Sequence, residues 1–499
     1  MLYFSKSKYC EFKQCPKASW LHKYKPDKYE EDTSVEARLE KGNEVGDLAM
    51  GLFGEYSEVT SFKPDGSLDL NKMKELTKQY IAEGRAVICE ASFDFNGLYC
   101  AVDILRKTTK GYAIYEVKSS AHDDREVYLF DICYQKYVLE KLGVQVDGVY
   151  LVTVNSDYIF DGTLDLNKFL KISDMTSIVE QNIGMVEGDL KDAEKILSCT
   201  KEPDNDLSVH CKKPYNCGFF GYCSMHLPTP SVFDIYGLPL KTKINLYQKG
   251  VISFDDVLKD GYVNDTLRLR QIDFALHERG THIDKGGLRR FLGELSFPLY
   301  FLDFETLMPV IPLYVGTKPY QQIPFQYSLH YIENESSELK HKEFLGEPEV
   351  DPRRALAEQL IADIPQTACV LAYNKTFECR MISELAEAFP DLASKLLKIR
   401  DNIIDLLVPF RAGYYYNRAM GGSFSIKVVL PAMFPDDPEL DYHNLEGVHN
   451  GGEAMTAFPA MKTMTPAERA KTRENLLKYC GLDTLAMVKI WQKLKEEIK

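Results

Sequence analysis

The sequence predicts an α/β protein built on two sheets with a helical connector between them. Three observations carry this. Strand-like apolar runs alternate with helical stretches from residue 86 to 154, and the same alternation returns from 299 to 407. The span 231–295 between them is mostly helical and poor in chemical motifs. The expected domains are therefore residues 1–230, 231–295 and 296–499.

In chain order, residues 1–30 open a helix with Ser5 as cap. Lys6, Lys8, Lys13, Lys17, Lys23, Lys25 and Lys28 make this the most basic stretch. Residues 34–53 and 72–83 have helical spacing. A strand over 86–95 turns through Asn96-Gly97, a hairpin signal, into 98–105, and a third strand runs over 111–117. An amphipathic helix over 125–142 stops at Gly143, a strand follows at 149–154, and 174–198 is helical. After the connector come strands at 299–306, 325–332 and 369–373 and helices at 353–364 and 377–389. A short apolar segment lies at 403–407, a loop-rich stretch at 431–457, and a charged helix or helix pair at 466–499.

The 74 acidic against 60 basic residues give a net charge of −14. That argues against a protein that coats polyanions generally, while leaving room for a local basic groove. No apolar run reaches the roughly 18 residues of a membrane span, and the start is too charged for a signal peptide. The cytoplasm is the expected compartment, where the twelve cysteines would not pair as disulfides. Cys89, Cys100, Cys133, Cys369 and Cys379 sit in apolar contexts and read as small buried hydrophobes.

The stretch from Tyr300 to Thr306 holds two acids, Asp303 and Glu305, in an apolar run. Positions i and i+2 of a strand share a face, so the two carboxylates aim at one point. A divalent cation, Mg²⁺ or Mn²⁺, is the usual reason to set hard oxygen donors there; solvated acids at a strand end are the plainer alternative. Asn374, Phe377 and Glu378 follow at a strand-to-helix turn, and Tyr479 and Asp483 share a face of the last helix. Asp-x-Glu, Asn-x-x-Phe-acid and Tyr-x-x-x-Asp, in this order, resemble the DnaQ-like (DEDD) exonucleases of RNase H-like fold with a tyrosine-type third motif. Glu378 stands where that family usually has aspartate. The resemblance implies two metals held by Asp303, Glu305, Glu378 and Asp483, a water oriented by Tyr479, and 3′→5′ hydrolysis of nucleic acid. Asp405 is a further acid that could assist, or an exposed loop residue.

Asp103 ends a strand, and Glu116 and Lys118 share a face of the next. With Gln135 on the following helix, they resemble a RecB-type PD-(D/E)xK nuclease. There the acids hold Mg²⁺ and the lysine stabilises charge on the phosphate. The histidine usual in that family's first helical region is missing after Gly42, with only Glu40 or Glu44 nearby. Leu139 stands where the family has tyrosine, with Tyr134 and Tyr137 alongside.

Cys211, Cys217 and Cys223 are spaced six apart, and Gly218 and Gly221 are expected where backbone wraps closely around something. With Cys15 they resemble the one-plus-three cysteine staple of iron–sulfur RecB-type nucleases, which implies a 4Fe–4S cluster. Zn²⁺ is the alternative, and Cys10 or Cys199 an alternative fourth ligand. Taken whole, the chain resembles a bacterial family that joins such a nuclease domain to a DnaQ-like domain. Lys427, read as a strand residue, would then lie near the nucleic-acid backbone. The expected partner is nucleic acid, single-stranded or end-containing DNA before RNA, with no membrane partner. The other readings are a nucleic-acid-binding adaptor with degenerate sites and a structural zinc protein.

Overall fold

The computed structural model describes residues 3–31 and 34–499, the side chains of residues 34–41 excepted; Glu40 lies outside the described side chains. The architecture is mixed α/β, in two compact units. The first comprises Met1–Leu227 with Val310–Tyr320, the second Pro228–Pro309 with Gln321–Lys499. The helical span 231–295 thus groups with the second unit, and residues 310–320 return to the first. Among the described residues no helix is long and apolar enough to cross a membrane.

In the first unit the strands are β1 (Phe4–Ser5), β2 (Ser57–Glu58), β3 (Val87–Phe95), β4 (Leu98–Lys107), β5 (Tyr112–Val117), β6 (Val146–Val154) and β7 (Leu170–Asp174). The sheet order is β2-β3-β4-β5-β6-β7, with β1 pairing on β4. Asn96 and Gly97 both take positive φ, 53° and 87°, in the β3–β4 turn, as a two-residue hairpin with right-handed twist requires. Alternation sorts the faces: Tyr112 and Ile114 join one core, Ala113, Tyr115 and Val117 the other. On the first core pack α1 (Lys6–Gln14), α2 (Pro16–Tyr24), α3 (Leu70–Glu83), α4 (Arg125–Lys141), α5 (Thr176–Asn182) and α6 (Gly184–Ser198). Val310, Ile311 and Tyr320 join the second. Ser5 caps α1, its hydroxyl accepting from the Lys8 amide. The expected helix from 174 is preceded by β7, a short edge strand whose alternation is masked by its single buried pair, Leu170 and Ser173.

In the second unit the connector forms α7 (Leu240–Gln248), α8 (Phe254–Asp260), α9 (Thr266–Leu276), a short strand β8 (Thr281–Ile283) and α10 (Lys285–Gly293). The sheet follows as β9 (Leu299–Leu307), β10 (Ile323–Ile332), β11 (Lys340–Leu345), β12 (Cys369–Ala372) and β13 (Ile403–Asp405), ordered β11-β10-β9-β12-β13. β9 is antiparallel to β10 and parallel to β12, which is parallel to β13. Tyr300, Leu302 and Phe304 face a core shared with α11 (Arg353–Asp363), α12 (Thr376–Ala388) and α13 (Ala393–Asp401). Phe301 meets Trp491 across the other face. A strand pair is completed by β14 (Tyr415–Asn417) on β8.

Two expectations are corrected here. Lys427 lies on a helix, α14 (Ile426–Met433), whose Val428-Val429 pair mimics a strand; Pro431 falls in its last turn, so the helix ends two residues later. The loop-rich stretch contains α15 (Gly451–Ala460), hidden by its Gly-Gly start but capped by Asn450. The chain ends in one long helix, α16 (Pro466–Glu497), with a Thr465–Glu468 capping box.

Candidate metal centres

The buried face of β9 that carries Phe301 continues to Asp303 and Glu305 and meets α16. The donor atoms of Asp303, Glu305 and Cys480 all lie within 4.8 Å of one another. Cys480 was missed in the sequence reading, where a cysteine beside Tyr479 looks like one more apolar core residue; its Sγ stands 3.8 Å from both the backbone oxygen and Oδ2 of Asp303. Asp483, one turn on, accepts from the Tyr442 hydroxyl at 2.6 Å and from Tyr479. The Lys427 ammonium donates to the Tyr479 hydroxyl at 3.2 Å and sits over the rings of Tyr442 and Tyr479. Glu378 is in the first turn of α12 and 2 % exposed, with its Oε2 lacking a hydrogen-bond partner.

Asp405 is not an exposed loop acid. It ends β13, is buried, and accepts from the backbone amides of Asn374 and Leu407 at 2.9 and 3.0 Å. It therefore fixes the turn, with Asn374 at φ 65°, that launches α12 and Glu378.

The electrostatics are those of carboxylates crowded into one buried place. Burial, then the charges of Asp483, Glu305 and Glu378, hold Asp303 well above the usual carboxylate range. Burial followed by Asp483 pushes Glu305 up to about 8, against the pull of Lys427. Burial pushes Glu378 to about 8, and Asp483 to about 6 against the Tyr442 hydrogen bond and Lys427. Burial, then Asp303 and Glu305, keep the Cys480 thiol well above its usual range. Such a set is suited to a multivalent cation, which removes the mutual repulsion at once.

In the first unit Glu116 continues the face of Tyr112 and Ile114, toward α4. Gln135 Nε2 donates to Glu116 Oε2 at 2.6 Å and to Asp131 Oδ1 at 3.0 Å. Lys118 bridges Glu116 and Asp131 at 2.5 and 2.8 Å. Lys6, from the first turn of α1, reaches Glu116 at 3.0 Å and Asp131 at 3.4 Å. Asp103 Oδ2 accepts from the Val117 amide at 2.6 Å. Glu90 faces the same cluster from β3, where it takes φ 57° between the pairs Cys89–Ile104 and Ala91–Val102. Burial pushes both Glu90 and Glu116 to about 7, whereas Lys118 and Lys6 hold Asp131 below the usual range despite its burial. Glu44, the described alternative acid, is exposed. Tyr134 is structural: it stacks on Tyr9 and donates to the Phe4 carbonyl.

Cys15, Cys211, Cys217 and Cys223 line one cavity with Ala18, Leu21 and Phe219; Cys10 and Cys199 do not. Cys15 is the N-cap of α2, and its sulfur receives the backbone amides of Ala18 and Lys17; Cys217 receives that of Phe219. Amides aimed at sulfur favour thiolates, whereas burial of these metal-free thiols pushes Cys217 up to about 11. The donor set thus fits a group that binds four thiolates. A side chain at Gly218 or Gly221 would strike Tyr29 or Glu30, so the backbone is closely approached at both glycines, by residues 29 and 30.

A search of curated proteins finds no match to the chain. Residues 300–425 match the family model described as a domain of unknown function (DUF2779), a span that holds Asp303, Glu305, Glu378 and Asp405 and stops before Tyr479 and Asp483.

Proposed function

We propose that the chain is a metal-dependent nuclease whose working centre is the carboxylate cluster of the second unit. The observation that carries this is the convergence of Asp303, Glu305 and Cys480 donors within 4.8 Å, with Asp483 and Glu378 close enough to raise the Asp303 pKa. Mg²⁺ or Mn²⁺ bound there would neutralise the scissile phosphate and lower the pKa of a water. The chain's own residues do the positioning. Tyr442 orients Asp483, Asp405 anchors the turn before Glu378, and Lys427 supplies a positive charge beside Tyr479 where an anionic backbone would pass. Tyr479 is the group that orients the attacking water.

We also propose a 4Fe–4S cluster on Cys15, Cys211, Cys217 and Cys223, supported by the shared cavity and the amides aimed at sulfur. For the first-unit centre, one observation favours the adaptor reading. Lys6 and Lys118 already sit among Glu116 and Asp131, where a divalent ion would bind. That cluster then serves to bind nucleic acid, or as a second, weaker cleavage site.

The test is 5′-end-labelled single- and double-stranded DNA and RNA incubated with Mn²⁺ or Mg²⁺. Stepwise shortening from the 3′ end is expected, with DNA preferred. It should vanish in Asp303→Ala and persist in Lys118→Ala. Unchanged shortening in Asp303→Ala would overturn the assignment.

A further inference from the structure

We propose that Cys480 is itself a ligand of the Asp303 centre, and that its sulfur biases the centre toward borderline ions such as Co²⁺ over Mg²⁺. This rests on the metal reading of that cluster. Cys480 and Asp483 are three apart on α16 and so share a helical face. Buried cysteines usually act as small hydrophobes, yet Cys480 Sγ faces the Asp303 carboxylate at 3.8 Å and lies within 4.8 Å of a Glu305 oxygen. Hydrocarbon packing does not explain a thiol set among carboxylates. A second, independent observation points to a cation site here: Glu378, 2 % exposed, carries a carboxylate oxygen without a hydrogen-bond partner, and its charge is felt at Asp303. Two oxygens and one sulfur make a mixed donor set. Mg²⁺ prefers an all-oxygen octahedron, while thiolate ligation favours softer divalent ions. Binding would release the thiol proton to solvent as the sulfur–metal bond forms.

The experiment titrates the full-length protein with Co²⁺ anaerobically, in wild type, Cys480→Ala, Cys480→Ser and Asp303→Asn. Calorimetry reads stoichiometry, near-ultraviolet absorption reads thiolate-to-Co²⁺ charge transfer, and circular dichroism checks that each variant folds. The four cysteines of the first unit are common to all variants, so they cancel in difference spectra. Wild type minus Cys480→Ala should show a single-thiolate band. Co²⁺ affinity should fall about tenfold in Cys480→Ala, while Mg²⁺ affinity, titrated in the same way, stays unchanged within about twofold. If Asp303→Asn loses bound Co²⁺ but the Cys480 difference spectrum is flat, the thiol is not a ligand and the metal reading stands. If Asp303→Asn loses no Co²⁺, both fall.

Discussion

At the scale of single residues, the second-unit centre is governed by how many negative charges share one buried place. Burial pushes Glu305 and Glu378 up to about 8 in the folded chain, against about 4.3 when unfolded. Between those values the folded chain holds protons that the unfolded chain has lost, so stability falls as pH rises through that window. Metal-free protein should therefore melt at lower temperature at about pH 8.5 than at about pH 5, and Mn²⁺ should restore more at the higher pH; differential scanning calorimetry reads both. Tyr442→Phe removes a 2.6 Å hydrogen bond to Asp483. It should cost about 2 kcal/mol in denaturant unfolding when Asp483 is ionised. Asp303→Ala should lower kcat/KM by at least about a thousandfold, whereas Tyr479→Phe, which keeps every carboxylate, should cost about ten- to a hundredfold. Of these residues, Asp303, Glu305, Glu378, Tyr479 and Asp483 were legible because each falls in a local motif. Tyr442, Cys480 and the amide-anchoring role of Asp405 were not, since their meaning comes from partners 31 to 177 positions away in sequence.

At the scale of elements, α1 sets the state of the first-unit centre. Its Ser5 cap starts the helix at Lys6, and that register points the first lysine at Glu116 and Asp131. Lys6→Met should destabilise the metal-free protein by about 3 kcal/mol, because it strips one cation from a buried ionic cluster. The same variant should bind Mg²⁺ more tightly than wild type, and thermal unfolding with and without Mg²⁺ tests both effects. If Mg²⁺ binding is unchanged, Lys6 does not occupy the ion's place. The basic stretch was visible in the sequence, but nothing local singles out Lys6, whose target lies 110 residues away. Glu90 was hidden for a different reason: strand spacing gives no sign of a left-handed residue inside β3. Long, periodic elements such as β9 and α16 could be read, whereas β7, β11 and α15 are short or start on glycine and leave little pattern.

At the scale of the whole molecule, two features join distant parts of the chain. The cysteine cavity ties α2 to residues 211–223, closing a loop of about 200 residues. Cys15→Ser should lower the iron content of anaerobically purified protein and its broad visible absorption, and should lower the melting temperature. Protein with neither iron nor that absorption would rule the cluster out. The other feature is Val310–Tyr320, which leaves the second unit between β9 and β10 to complete the core of the first, with Val310 1 % exposed. A fragment ending at Leu227 should be about 2–4 kcal/mol less stable in urea than the same fragment supplied with a 308–322 peptide. For inheritance this excursion has a further consequence. No single cut in the gene separates the two units, since one crossover leaves either a hole in the first core or a foreign insert beside the Asp303 strand. Substitutions at Val310, Ile311 or Tyr320 must be matched by changes far upstream around Tyr158 and Phe169. The halves are therefore expected to diverge in step.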